Sequence, residues 1–419
     1  MKQKRSGALS LVLAVVLSFG LFGAMPAKAF ADTPPGAGDI CRIVSTDTGY
    51  ATLAEALDAV GADDTIELLE DITEAIDIVV PTTLGTASFT IDLNGYDLDL
   101  DDQKITVDPT GSLTIVGGGT LTAGKGIQVD NGTLSVNADI VMGSSGIDAF
   151  NGATVTVVGN IKTGATGAWA NGGSSITVTG NINADYGAYA DGDGTVVTVA
   201  GNIQVANTGI GAIRGASITA NGNISADDTG VNTQGDGAEV TVTGNISAGV
   251  FGVDAQGGST VTVNGDITAD VTGVSANGWD GFNDVAARAI VFVNGNVIAT
   301  IWGVYAWNAE VTIDGTLTTP DAEFVQFWDN ATSQSIFKTA AQKDASSTKT
   351  GFDQYSYSGD DDITSFIWIK AEPVDPPKPD VPQTGDPTGP LTLSIILALA
   401  AFGITGIVLA RKRQRSKIS

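Results

Sequence analysis

The stretch VTVTGNISAGVFGVDAQGGSTVTVNGDITAD, Val240 to Asp270, decides the fold. It says one thing twice, VTVTGNISA and then VTVNGDITA, 21 residues apart. Aligning the chain on the glycine after the VTVT-type run gives anchors at Gly117, Ala138, Gly159, Gly180, Gly201, Gly222, Gly244, Gly265, Gly295 and Gly315. The steps are 21 residues five times, then 22, 21, 30 and 20, and Gly95 extends the series 22 residues earlier. A fixed period of this size marks a solenoid, whose single repeat cannot bury its own apolar face.

Two and four residues before each anchor stand aliphatic pairs such as Val155/Val157, Ile176/Val178 and Val261/Val263. Between them stand Thr156, Thr177, Thr198, Thr219, Thr241, Thr262 and Thr312. This is period-two alternation, a strand with one buried face. A short strand follows the anchor, centred on Ile161, Ile182, Ile203, Ile224, Ile246 or Ile267. A further strand opens on glycine: GIDAF (146–150), GAWAN (167–171), GAYAD (187–191), GVDAQ (252–256) and GVYAW (303–307). Three strands and their turns leave no room in about 21 residues for a helix. The expectation is an all-β, right-handed parallel β-helix of about ten coils, roughly 50 Å long at ~4.8 Å per coil. Asn160, Asn181, Asn202, Asn223, Asn245 and Asn296 follow their anchors, with Asp139 and Asp266 as substitutes. They predict a left-handed corner and a side-chain ladder along the axis. TLAEALDAV (52–60) has capping-box spacing and predicts a short helical cap.

The ends read differently. Residues 1–31 have a basic start, an apolar run and A-x-A sites, as in a secretory signal peptide. Residues 32–85 are assigned to the N-terminal cap and first strands, 86–320 to the repeats, 321–371 to the C-terminal coils and cap, and 372–380 to a Pro-rich linker. Leu391 to Ala410 is apolar and uncharged, long enough to span ~30 Å of hydrocarbon, and 411–419 is a basic tail. The motif Val381-Pro382-Gln383-Thr384-Gly385 precedes the apolar segment. This order resembles the LPxTG-type cell-wall sorting signal of Gram-positive surface proteins, with Val381 in place of Leu. The resemblance implies cleavage by a sortase at Thr384–Gly385 and a covalent link from Thr384 to peptidoglycan, at the cell wall. A plain membrane anchor is the alternative. Residues 45–370 resemble the pectin-lyase-like β-helix surface proteins of such bacteria, through the cap helix, DDTIELLEDI (63–72) and TIDLNGYDL (90–98).

Charge and composition narrow the function. The chain carries a net charge of −27. Processing at both ends takes away nine basic residues and one acidic one, leaving 11 against 46, net −35. Such a surface repels nucleic acid. With one cysteine, Cys41, there is no internal disulfide. There is no histidine, which excludes Ser-His-Asp chemistry and His-ligated zinc. Resemblance to polysaccharide lyases implies acidic calcium ligands and an Arg or Lys base. Arg214, near Asp191 and Asp193, is the best placed base, and Asp148, Asp191, Asp193, Asp236 and Asp254 are the carboxylates open to glycoside hydrolysis. Asp191-Gly192-Asp193-Gly194 completes no calcium loop, so no cofactor is called for, although calcium stays open.

Binding is the preferred reading. Asp148, Trp169 and Tyr189 occupy the outward position of the glycine-led strand, with Trp169 and Tyr189 on adjacent coils. Aromatic faces beside carboxylates suit sugar rings, and equally suit cross-strand packing. The 30-residue interval holds an insertion, NGWDGFNDVAAR (277–288). Trp279 and Phe282 have no coil position there and are expected to fold back toward Trp302, Tyr305 and Trp307. The sequence therefore predicts a wall-linked adhesin that binds a glycan or host-surface ligand. A polysaccharide-active enzyme comes second and a passive stalk third.

Overall fold

Each repeat folds into the three strands its alternation requires, for example Val196–Val199, Ile203–Val205 and Thr208–Ile213. The computed structural model describes residues 36–81, 85, 87–279, 287–320, 323–329, 332–358 and 363–372. Residues 1–31, read above as a signal peptide, the motif 381–385, the apolar segment 391–410 and the basic tail lie outside the described residues. Among those described, no helix is long and apolar enough to cross a membrane.

The strands stack into three sheets of 16, 12 and 13 strands, taken here as the first, second and third in their order within a repeat. Neighbours within a sheet come from successive repeats and run parallel. Val155, Ile176, Val197, Ile218, Val240 and Val261 lie in one inward column, residue against residue. Thr156, Thr177, Thr198, Thr219, Thr241 and Thr262 form the matching outward column. Every aliphatic member of the inward column is essentially shut off from solvent. Each such Val or Ile contributes about 1.5–3 kcal/mol on burial. The third sheet points the small residues Ala149, Ala170, Ala190, Ala212, Ala255, Ala276 and Ala306 inward. Thr233 replaces alanine once in that column, and its buried hydroxyl is paired with that of Ser259 at 2.8 Å.

The chain is thus a right-handed parallel β-helix, of about twelve turns rather than ten. The additional turns lie at the N-terminal end, where the glycine signature fades. The reason is steric. A Cβ on Gly159, Gly180, Gly201 or Gly222 would lie 2.1–2.3 Å from the anchor carbonyl oxygen of the coil before. These glycines are needed because coils approach closely. The opening turn, whose second-sheet strand is Ile72–Thr73, has no preceding coil in that sheet and needs no glycine.

The ladder asparagines also correct an expectation. None of them has a positive φ. Instead, each side-chain oxygen accepts a hydrogen bond from the backbone N–H one coil on. Asn160 Oδ1 accepts from Asn181 N at 2.9 Å, Asn181 from Asn202 at 2.8 Å, Asn202 from Asn223 at 2.9 Å and Asn223 from Asn245 at 2.8 Å. Asp266 joins the series, accepting from Asn296 N at 2.7 Å. Side-chain to side-chain bonds supplement this at some steps, as from Asn181 Nδ2 to Asn160 Oδ1 at 3.0 Å. The ladder ties coil to coil through the backbone. Asn202→Ala removes one acceptor at an exposed corner where water substitutes in part, so it should cost about 1 kcal/mol. The urea midpoint of unfolding checks this.

Both ends of the rod break the parallel pattern. Helix α1, Leu53–Ala59, buries Leu53, Ala56 and Leu57. Thr52 Oγ1 caps it by accepting from Glu55 N at 3.2 Å. Glu74 accepts from Leu53 N at 2.7 Å and Ala54 N at 3.2 Å. Cys41–Ile43 runs antiparallel to both Thr48–Tyr50 and Asp64–Leu68. At the far end Phe352–Ser358 is antiparallel to Thr364–Lys370, which closes the first sheet against Ala309–Ile313. Val325–Asp329 and Gln334–Lys338 form an antiparallel hairpin on the third sheet. Reversed strands and short edges of this kind stop further chains from adding on.

Candidate binding face on the third sheet

The outer side of the third sheet carries three columns. In the middle run Gln128, Asp148, Trp169, Tyr189, Gly211, Asn232, Asp254, Ser275, Tyr305 and Gln326, each against the next. Toward the corner with the first sheet, Asn171, Asp191, Ile213, Gln234, Gln256, Asn277 and Trp307 follow one another. At the strand starts, Thr229, Phe251, Thr272 and Trp302 do the same. Most of the aromatic residues fall into two groups, with amides, Asp254, Ser275 and, at a strand start, Phe251 between them.

The lower group forms around Trp169 and Tyr189, which the register places on adjacent coils as expected. Trp169 is 39% exposed and meets Phe150 edge-on at 5.8 Å between ring centroids. Tyr189 meets Tyr186 edge-on at 6.1 Å. The Tyr189 ring lies over Gly211, where an added Cβ would sit 2.4 Å from Cε1. A larger residue there would have to displace the ring. Trp169, Tyr186, Tyr189, Asp191 and Ile213 line a cavity of about 380 Å3. Burial pushes the Tyr189 phenol upward, so it stays a hydrogen-bond donor at neutral pH. Asp148 lies one coil below Trp169. Burial raises its carboxyl, and the Ser145 hydroxyl, donating at 2.9 Å, opposes the rise.

The upper group gathers Trp279, Tyr305 and Trp307 with Asn277 and Trp328 around a cavity of about 420 Å3. Trp279 is 54% exposed, and its backbone N–H donates to Asn277 Oδ1 at 3.0 Å. Burial, then the charge of Asp254, pushes the Tyr305 phenol up to about 12. Trp302 does not join this cavity. It stands at the start of its strand, paired in register with Thr272, and is not among the residues that line the cavity. Phe282 lies outside the described residues. Trp328 was not anticipated, although Val325-Gln326-Phe327-Trp328 repeats Val304-Tyr305-Ala306-Trp307 at the 21-residue period. Tyr186 was also missed, although Tyr186 and Tyr189 share the spacing of Trp302 and Tyr305.

Between the groups, Asp254 accepts from Gln256 Nε2 at 2.7 Å. Burial raises its carboxyl above the ordinary aspartate range, and bonds from Gln256 and Ser275 oppose this. A raised carboxyl favours the folded state when protonated, so its contribution fades as pH climbs through the raised value. Asp254→Asn should therefore stabilise the protein at pH 7 and make no difference near pH 3. Melting temperatures of both proteins across that range check the sign.

The carboxyls that burial raises, Asp148 and Asp254, are five coils apart, about 24 Å at ~4.8 Å per coil. Glycosidase pairs work at about 5–9.5 Å. Arg214, the sequence's best base, is held by Asp191, its Nε donating to Oδ1 at 2.8 Å. Among the described residues no group of three or more Cys, Asp or Glu side chains is placed to hold a metal ion.

Fold and face together define a parallel β-helix with two aromatic shelves on one sheet. No protein-family model, curated protein or solved structure matches the chain.

Proposed function

We propose that this protein is a secreted surface protein that binds glycans along the outer face of its third sheet. The observation that carries the reading is the placement of two aromatic cavities on the same face, joined by a strip of amides, Ser275 and Asp254. Exposed aromatic faces take the C–H side of a pyranose, and amides and carboxylates take its hydroxyls. A rigid solenoid holds such groups in place without a ligand, which lowers the entropic cost of binding. The sorting-type sequence Val381–Gly385 supports attachment to the cell wall of a Gram-positive bacterium through Thr384, by a sortase.

The purified protein, incubated with a panel of neutral and acidic oligosaccharides, should retain some of them and shorten none. Shortened products would indicate a polysaccharide-active enzyme. Neither retention nor cleavage would leave a passive stalk.

A further inference from the structure

The corner from the third sheet to the first turns through a left-handed residue in coil after coil. Asn131, Asn151, Gly172, Gly192, Gly235, Gly257 and Asn308 hold that position, with φ between 44° and 90°. In one coil the residue is Arg214, at φ 51°. Arginine bears the full Cβ penalty there and lacks the short amide that lets asparagine visit this region. The position itself needs only glycine or asparagine, as the seven other coils demonstrate. An ion pair does not account for the choice either. The Arg214 side chain is 60% exposed, and an ion pair so open to water is worth little. Backbone strain kept without structural return directs attention to ligand contacts.

Arg214 is the only basic residue between Lys162 and Arg288. Its Nε donates to Asp191 Oδ1 at 2.8 Å, and Nη2 donates to Asp191 Oδ2. This fork holds both planar groups in one orientation. Asp191 lines the lower cavity beside Trp169, Tyr186 and Tyr189. The pair therefore presents acceptor lone pairs and remaining N–H donors side by side next to an aromatic shelf.

We propose that Arg214 and Asp191 form the polar wall of a sugar subsite in the lower cavity, which takes an uncharged pyranose with two adjacent hydroxyls, its ring against Trp169. This rests on the glycan-binding reading above. One hydroxyl donates to Asp191 and its neighbour accepts from Arg214. The pair is neutral as a unit, and the chain around it is acidic, with a net charge of −27. A sugar carboxylate would meet the Asp191 carboxylate, so uronic acids are disfavoured.

The test uses wild-type protein, Arg214→Gly and Arg214→Asn. Each is titrated with neutral gluco-, manno- and galacto-configured trisaccharides and with trigalacturonate, and each is melted. Wild type is expected to bind at least one neutral trisaccharide and to bind trigalacturonate more weakly. Both variants should lose at least tenfold in affinity while melting at or above the wild-type temperature, since their residues suit the left-handed corner. Undiminished binding in both variants would overturn the subsite and leave the glycan reading standing. Preference for trigalacturonate would overturn the uncharged-sugar assignment. No binding of any sugar by wild type would bring down the glycan reading itself.

Discussion

Replacing Gly201 by valine is expected to destabilise the rod by about 3 kcal/mol or more, the upper range for overpacking a tight contact. A Cβ there would lie 2.3 Å from the Gly180 carbonyl oxygen and 2.5 Å from its carbon. Both are backbone atoms, so no side chain can swing away. Parting the two coils would stretch the neighbouring ladder bond from Asn202 N to Asn181 Oδ1, 2.8 Å long. In a solenoid each coil touches only its neighbours, so damage in the middle should open the rod locally. Hydrogen exchange should show faster opening near residues 180–202 than at either cap. Asn183→Ala, an exposed change one coil away on the second sheet, should stay within about 0.5 kcal/mol of wild type. Equal melting of the Gly201→Val and Asn183→Ala proteins would refute the close-approach account.

The second large effect concerns binding. Trp279→Ala and Trp169→Ala should each weaken retention of a bound oligosaccharide about thirtyfold, corresponding to ~2 kcal/mol for a central aromatic anchor. Both side chains are well exposed, at 54% and 39%, so their removal should leave the unfolding midpoint nearly unchanged. Trp302→Ala serves as the contrast. Trp302 pairs in register with Thr272 and lines neither cavity, so its loss should leave affinity intact. A loss of stability matching the loss of binding in Trp169→Ala would mean that its contact with Phe150 serves packing alone.

The repeat made most of the fold legible. In a parallel stack each residue type meets its own kind, so Val155, Ile176 and Val197 announce a buried column by period alone. The turn at Ile72–Thr73 was less legible, because with no coil before it in the second sheet the steric demand that writes glycine into the repeat is missing. The asparagines were read correctly as a ladder and incorrectly as a left-handed corner. The order of the dipeptide holds the difference. Asn precedes Gly at Asn151-Gly152, where φ is positive, and follows it at Gly180-Asn181, where the side chain accepts from the next coil. The lower shelf was legible from the alternation of GAWAN and GAYAD. The upper shelf was legible only in part, because an insertion interrupts the period and Trp328 lies past the last glycine anchor, Gly315. Arg214 is conspicuous only once the backbone shows the conformation it adopts.

The most direct test of the central claim is to label the intact protein with a photoreactive derivative of whichever oligosaccharide it retains, and to map the modified peptides. Glycan binding on the third sheet predicts labels within Thr166–Asn171, Tyr186–Asp191, Thr272–Asn277 and Trp302–Trp307, and on Trp279. Labels on the threonine column of the first sheet, or spread evenly over all three faces, would contradict it.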